Sequence, residues 1–124
     1  MFINKKNINI FGIIPARMAA SRFPGKPLKK ICDVTMIEHV YRRACMFKKW
    51  KNLLIATCDD EIKNFSEKKK FPVIMTSKKH KRCLDRVNEA IQKLSKLVKE
   101  DDIIICVQGD EPMMRPEMIN NCIK

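Results

Sequence analysis

The sequence predicts an α/β fold, a doubly wound and mostly parallel sheet in a single domain over residues 1–124. Three observations lead there. Short apolar runs recur along the chain, at Ile8 to Ile14, Leu53 to Thr57, Phe71 to Met75 and Ile103 to Val107. Segments with helical apolar spacing separate them. The runs are apolar nearly throughout rather than alternating, as strands are when both faces of a sheet are covered. Strand–helix alternation of this kind takes right-handed crossovers and stacks the strands in parallel.

Taken in order, Ile8 to Ile14 is the first strand. It breaks at Pro15 into a loop carrying Arg17, Ser21, Arg22 and Lys26. Pro24, Gly25 and Pro27 stiffen this loop and rule out helix within it. Leu28 to Ile31 can pair briefly before a turn over Cys32 to Thr35. Thr35 is a candidate N-cap, with Glu38 in the capping-box position. The helix it opens runs to about Lys48, with Met36, Ile37, Val40, Tyr41, Ala44 and Phe47 on one face and Arg42, Arg43, Lys48 and Lys49 outward or near its end. The second strand, Leu53 to Thr57, is followed by Asp59, Asp60 and Glu61, whose charges suit the first turn of a short helix through Phe65. Lys68 to Lys70 is a solvated turn before the third strand. The basic stretch Thr76 to Arg86 leads into a helix to about Val98, striped by Leu84, Val87, Ala90, Ile91, Leu94 and Val98. The fourth strand, Ile103 to Val107, runs into Gln108-Gly109-Asp110-Glu111-Pro112, and Pro116 opens a last helix.

Composition narrows the function classes. The chain is 45% hydrophobic and 32% charged, an ordinary globular balance. Its net charge of +12 fits a Lys-rich solvated surface, a nucleic-acid binder or an enzyme for anionic substrates. One Trp and one Tyr beside six Phe offer few stacking platforms, which argues against single-strand binding, and a nucleic-acid partner is not expected. None of the six cysteines (Cys32, Cys45, Cys58, Cys83, Cys106 and Cys122) forms a C-x-x-C pair, and His39 and His80 have no metal-ligand spacing with them. They read as reduced thiols of a cytoplasmic protein. Lys5 and Lys6 before an apolar run imitate a secretory leader, but Asn9, Gly12, Pro15 and Arg17 fit a first strand better. No run is long enough to cross a membrane.

In a parallel sheet ligands bind beyond the carboxyl ends of the strands. Two of those ends carry chemistry. The first presents Arg17, Ser21, Arg22 and Lys26, a cationic set with loop amides that suits a polyphosphate. The fourth presents Asp110 directly after an apolar strand, where a carboxylate opposite a phosphate loop would hold Mg²⁺. The combination describes a nucleoside triphosphate site without a P-loop, since no G-x-x-x-x-G-K-[ST] occurs.

The stretch IIPARMAASRFPGKPL resembles the N-terminal signature of the 3-deoxy-D-manno-octulosonate (Kdo) cytidylyltransferases. MIEHVYRRA, LLIAT and VQGDEPMM are similar to that family's next blocks, in the same order. The resemblance implies the fold of the nucleotide-diphospho-sugar transferases and a reaction in which CTP and Kdo give CMP-Kdo and pyrophosphate, for lipopolysaccharide synthesis. It implies that Arg17, Arg22 and Lys26 hold the triphosphate with Ser21 assisting, that Asp110 binds Mg²⁺, that Gln108 orders substrate, and that Arg86 lies by the nucleotide. It also implies a homodimer whose forming elements, like most of the sugar pocket, lie in a further half. This sequence is therefore expected to be the N-terminal half of such an enzyme, truncated and inactive alone. Arg82-Cys83-Leu84 stands where the family has Ser-Gly-Thr, Cys58 where it has Asp, and Asp33-Val34-Thr35 where it has Gly-Lys-Pro. Two alternatives remain: a cytidylyltransferase for another acidic sugar such as sialic acid, and a non-catalytic descendant that binds nucleotide or nucleic acid.

Overall fold

The computed structural model describes residues 8–19 and 25–108. Ser21, Arg22, Asp110, Cys122 and the expected helix from Pro116 lie outside them. Within the described residues, the strands β1 (Ile10–Ala16), β4 (Trp50–Thr57), β5 (Val73–Met75) and β6 (Ile103–Cys106) form a four-stranded sheet in the order β5-β4-β1-β6. Every pairing in it is parallel, in the register Ile13 with Leu54 and with Cys106, and Ile55 with Val73. The doubly wound, mostly parallel sheet expected from the alternation of elements is what the chain forms.

Side chains alternate between the faces of a strand, and here both faces are buried. Ile14, Leu53 and Ile55 pack on one face with Ile37, Val40 and Ala44 of α1 (Met36–Cys45) and Ile62 of α2 (Asp60–Lys68). Ile13, Leu54 and Ala56 pack on the other with Val87 and Ala90 of α3 (Cys83–Lys93). Burial on both faces removes the need for alternation, so the strands read as apolar runs. Gly12 serves close packing, since a Cβ there would lie 2.8 Å from Leu53 Cδ1 and from the Trp50 ring.

Several boundaries differ from expectation, each for a local reason. Strand β1 continues through Pro15 to Ala16 instead of stopping at Ile14. The Ile13 carbonyl accepts from Val107 N–H, so Pro15, on the same side, points its missing donor where β6 has already ended. The loop after β1 does contain a helical turn, a 3₁₀ turn at Lys26–Leu28. Pro27 is tolerated because it sits at the turn's start, where its N–H has no partner to lose. Lys30–Ile31 (β2) pairs antiparallel with Val34–Thr35 (β3) across Cys32-Asp33.

Helix α1 begins as the capping box requires on one side only. The Thr35 hydroxyl accepts from Glu38 N–H at 3.3 Å, while the Glu38 carboxylate turns to Arg42 at 2.7 Å and Lys69 at 3.6 Å. The helix stops at Cys45 rather than Lys48, and the Trp50 indole N–H takes the Ala44 carbonyl at 2.7 Å. Helix α2 runs on to Lys68, past the expected Phe65. It closes with Lys70 at φ +64°, its N–H on the Glu67 carbonyl, and Phe71 N–H on the Ser66 carbonyl. Helix α3 ends at Lys93, short of Val98, and turns over Leu94.

Candidate functional site

Because the four strands are parallel, their carboxyl ends gather at one edge of the sheet. Arg17 follows β1 there, Cys58 and Asp59 follow β4, Thr76 and Ser77 follow β5, and Val107 and Gln108 follow β6. Arg17 and Gln108 are exposed, just past the ends of two neighbouring strands.

The basic loop leaves this edge and returns to it through a closed neck. Gly25 N–H donates to the Met18 carbonyl at 2.7 Å, bringing the two ends of the excursion together. Gly25 has φ +75°, a conformation costly for any residue with a Cβ. The requirement is one of dihedral rather than space, since a Cβ would find Met18 Cε at an ordinary 3.6 Å. The 3₁₀ turn follows at once and buries Pro27. It places Lys26, half-buried, at the returning end of the neck, while Arg17 stands at the departing end.

The neck is also fastened sideways. Met18 N–H donates to Asp59 Oδ2 at 2.8 Å, a tie from the first loop to the end of β4. The Cys58 thiol donates to the same oxygen at 3.7 Å. Asp59 N–H in turn donates to the hydroxyl of Thr57, which is fully buried. The carboxylate series Asp59 to Glu61 thus divides its work. Asp60 and Glu61 lie in the first turn of α2, as the dipole favours, while Asp59 reaches across to another loop.

Helix α3 holds the loop after β5. Arg86 is only 3% exposed, and its Nη1 donates to Thr76 Oγ1 at 2.5 Å and to the Ser77 carbonyl at 3.2 Å. One turn on, Glu89 Oε1 accepts from Ser77 N–H at 2.9 Å and meets His80 Nε2 at 2.6 Å. Lys93 Nζ lies 3.3 Å from Glu89 Oε2 and donates to the Met75 carbonyl. The Ser77 amide, then His80 and Lys93, stabilise the ionised carboxylate and hold Glu89 down to about 2. Arg86, expected beside the nucleotide, therefore has its Nη1 engaged within the protein, under the loop that approaches the strand edge. Beyond this clasp, Lys81, Arg82, Cys83 and Leu84 are exposed, Leu84 by 67%.

Of the residues expected to act, Arg17, Lys26 and Gln108 stand at the common edge and Arg86 lies beneath it. Ser21, Arg22 and Asp110 are outside the described residues. Asp59, Glu89 and His80 were not singled out for the site from sequence. A signal existed for two of them: in the sequence Asp59 closely follows an apolar run, as Asp110 does, and Glu89 follows Arg86 at a same-face helical spacing. Among the described residues no group of three His, Cys, Asp or Glu side chains could hold a metal ion. Asp110, the expected Mg²⁺ ligand, lies outside the described residues. Cys32, Cys45, Cys58, Cys83 and Cys106 are free thiols, and burial pushes Cys106 up to about 11. No helix among the described residues is long and apolar enough to cross a membrane.

The sequence and the fold have counterparts among known proteins. The sequence model of a family described as cytidylyltransferase matches residues 11–124. An 8-amino-3,8-dideoxy-manno-octulosonate cytidylyltransferase of Shewanella sp. (strain W3-18-1) is 45% identical over 116 residues, which is 94% of this chain and 46% of that protein. The protein of the same name from Shewanella baltica (strain OS155 / ATCC BAA-1091) is 44% identical over the same span. Among solved structures, a CMP:2-keto-3-deoxy-manno-octonic acid synthetase complexed with CTP superimposes with a TM-score of 0.84 at 36% identity, covering 93% of this chain and 46% of that one. A 4-diphosphocytidyl-2C-methyl-D-erythritol synthase shares the fold alone, with a TM-score of 0.73 at 17% identity over 93% of this chain and 53% of its own. The chain spans about half the length of the curated relatives it matches.

Proposed function

The chain belongs to the cytidylyltransferase family, and from that premise we propose that it is the nucleotide-binding half of an enzyme transferring CMP from CTP to an octulosonate sugar acid of the Kdo type. In this reaction the sugar's anomeric oxygen forms a bond to the α-phosphorus, the bond from that phosphorus to pyrophosphate breaks, and the anomeric proton passes to solvent. The product is an activated sugar for lipopolysaccharide assembly, made in the cytoplasm. The observation that carries the reading is a basic loop held at both ends at the carboxyl edge of a parallel sheet, in a chain that resembles a CTP-bound synthetase over nearly all its length.

Catalysis of such a transfer is mostly positioning and charge neutralisation. Arg17, Arg22 and Lys26 hold the triphosphate, with Ser21 and the loop amides assisting. Arg86 and Glu89 set the loop after β5 beside the nucleotide. Gln108 orders the sugar near the reacting phosphate. Where Mg²⁺ accompanies the nucleotide, Asp110 would be the carboxylate to hold it, and the ion would supply neutralisation of phosphate charge.

Calorimetric titration of this chain tests the reading. CTP is expected to bind more tightly than UTP, ATP or inorganic tripolyphosphate, and to raise the melting temperature. Arg22→Ala and Lys26→Ala each remove a charge-assisted contact to phosphate, worth about tenfold in affinity. CTP binding no tighter than that of tripolyphosphate, or binding indifferent to both substitutions, would overturn the proposal.

A further inference from the structure

We propose that Asp59 is a positioning residue for the triphosphate loop, acting through the backbone of Met18. The inference rests on the CTP-binding reading above and adds to it a residue outside the loop. An aspartate at a helix N-cap ordinarily turns its carboxylate onto the free N–H groups of the first turn. Asp59 is the N-cap of α2 and makes no side-chain cap bond. Its Oδ2 instead accepts from Met18 N–H, 41 residues away in sequence. The orientation is reinforced from β4, by the Asp59 N–H on the Thr57 hydroxyl and by the Cys58 thiol on Oδ2.

Met18 is where such a tie has leverage. Its carbonyl is already bonded to Gly25 N–H, so both main-chain polar groups of one residue are fixed. Arg17 precedes it directly, and Lys26 follows the residue bonded to its other side. The Gly25 bond joins the two ends of the loop, and the Asp59 bond ties that joined neck to the end of β4. Without the Asp59 bond, the Met18–Gly25 neck is tied to the sheet through β1 alone, and the cations that flank it lose their fixed position relative to β4. A loop that presents cations to a polyphosphate binds best when it is ordered before the ligand arrives.

The test compares Asp59→Ala with Asp59→Asn. Asn keeps an oxygen acceptor for Met18 N–H and a good N-cap residue, whereas Ala removes the acceptor. Asp60 and Glu61 still serve the α2 dipole in both. Expected is a roughly tenfold loss of CTP and tripolyphosphate affinity in Asp59→Ala, the loss corresponding to one removed hydrogen bond to a charged group, with Asp59→Asn within about threefold of the parent. Amide hydrogen exchange gives a readout that needs no ligand: Met18 N–H is expected to be protected in the parent and in Asp59→Asn, and fast in Asp59→Ala at unchanged β1 protection. Parent affinity in Asp59→Ala, or Asp59→Asn as weak as Asp59→Ala, overturns the inference. So does a Met18 amide that exchanges equally in all three. If the parent itself fails to bind CTP, the function proposed above fails, while the exchange experiment still decides the role of Asp59.

Discussion

Glu89 shows how much a single side chain organises here. It joins Ser77, His80 and Lys93 at once, and this environment keeps its carboxylate ionised down to about 2 against an ordinary 4.5. A folded-state value below the unfolded one means stability that is fully present above about pH 4.5 and is lost as pH falls from there toward 2. Glu38, lowered chiefly by its bond to Arg42, and Asp102, lowered chiefly by the Lys99 amide, change stability in the same direction. Thermal melts between pH 6 and pH 2 are expected to show a falling melting temperature in this window. Glu89→Gln should start lower at pH 6 and fall less steeply, and parallel curves for the two proteins would contradict the assignment. Residues of this kind are poorly legible in a sequence for a physical reason. The Thr35–Glu38 cap was readable because its partners are three positions apart on one helical turn. Asp59 and Glu89 reach partners 41 and 12 positions away, and only the folded sheet brings them together.

At the scale of elements, apolar runs and helical stripes located all the main-sheet strands and the three helices among the described residues; they placed the ends at Thr57 and Met75 and the cap at Thr35, and misplaced several other ends. The ends are set by bonds from outside the element, as with the Trp50 indole at the close of α1. The β2–β3 turn was visible as a turn but not as a hairpin. Cys32 and Asp33 sit at φ +53° and +66°, the conformation of a type I′ turn, which Asn-Gly favours and this dipeptide does not advertise. Cysteine and aspartate are strained there, and glycine at the second position relieves the strain at some entropic cost. Asp33→Gly is expected to stabilise the protein by about 0.5–1 kcal/mol, seen as a higher urea midpoint at unchanged slope. An unchanged or lower midpoint would show that the turn is not under this strain. Lys70 at φ +64° is the same kind of position at a helix end.

For the molecule as a whole, alternation of elements predicted a parallel sheet, but not its order. The order β5-β4-β1-β6 puts the first strand in the interior, between partners from the middle and the far end of the described chain. Phe11, Ile13, Ile14 and Ile55 are fully buried around this junction. Native-state hydrogen exchange should therefore be slowest in β1 and the facing part of β4, and faster in β5 and the β2–β3 hairpin. Slowest exchange in the hairpin would contradict this hierarchy. The interior place of β1 also matters during synthesis. β1 leaves the ribosome early, yet its β6 neighbour lies 93 residues further along, a spacing set also by the Asn9–Asp102 bond. At a translation speed of roughly 5–20 residues per second, an apolar strand waits for about 5–20 seconds with one hydrogen-bonding edge unfilled. For that interval the nascent chain offers the kind of strand edge that chaperones shield and that aggregates recruit.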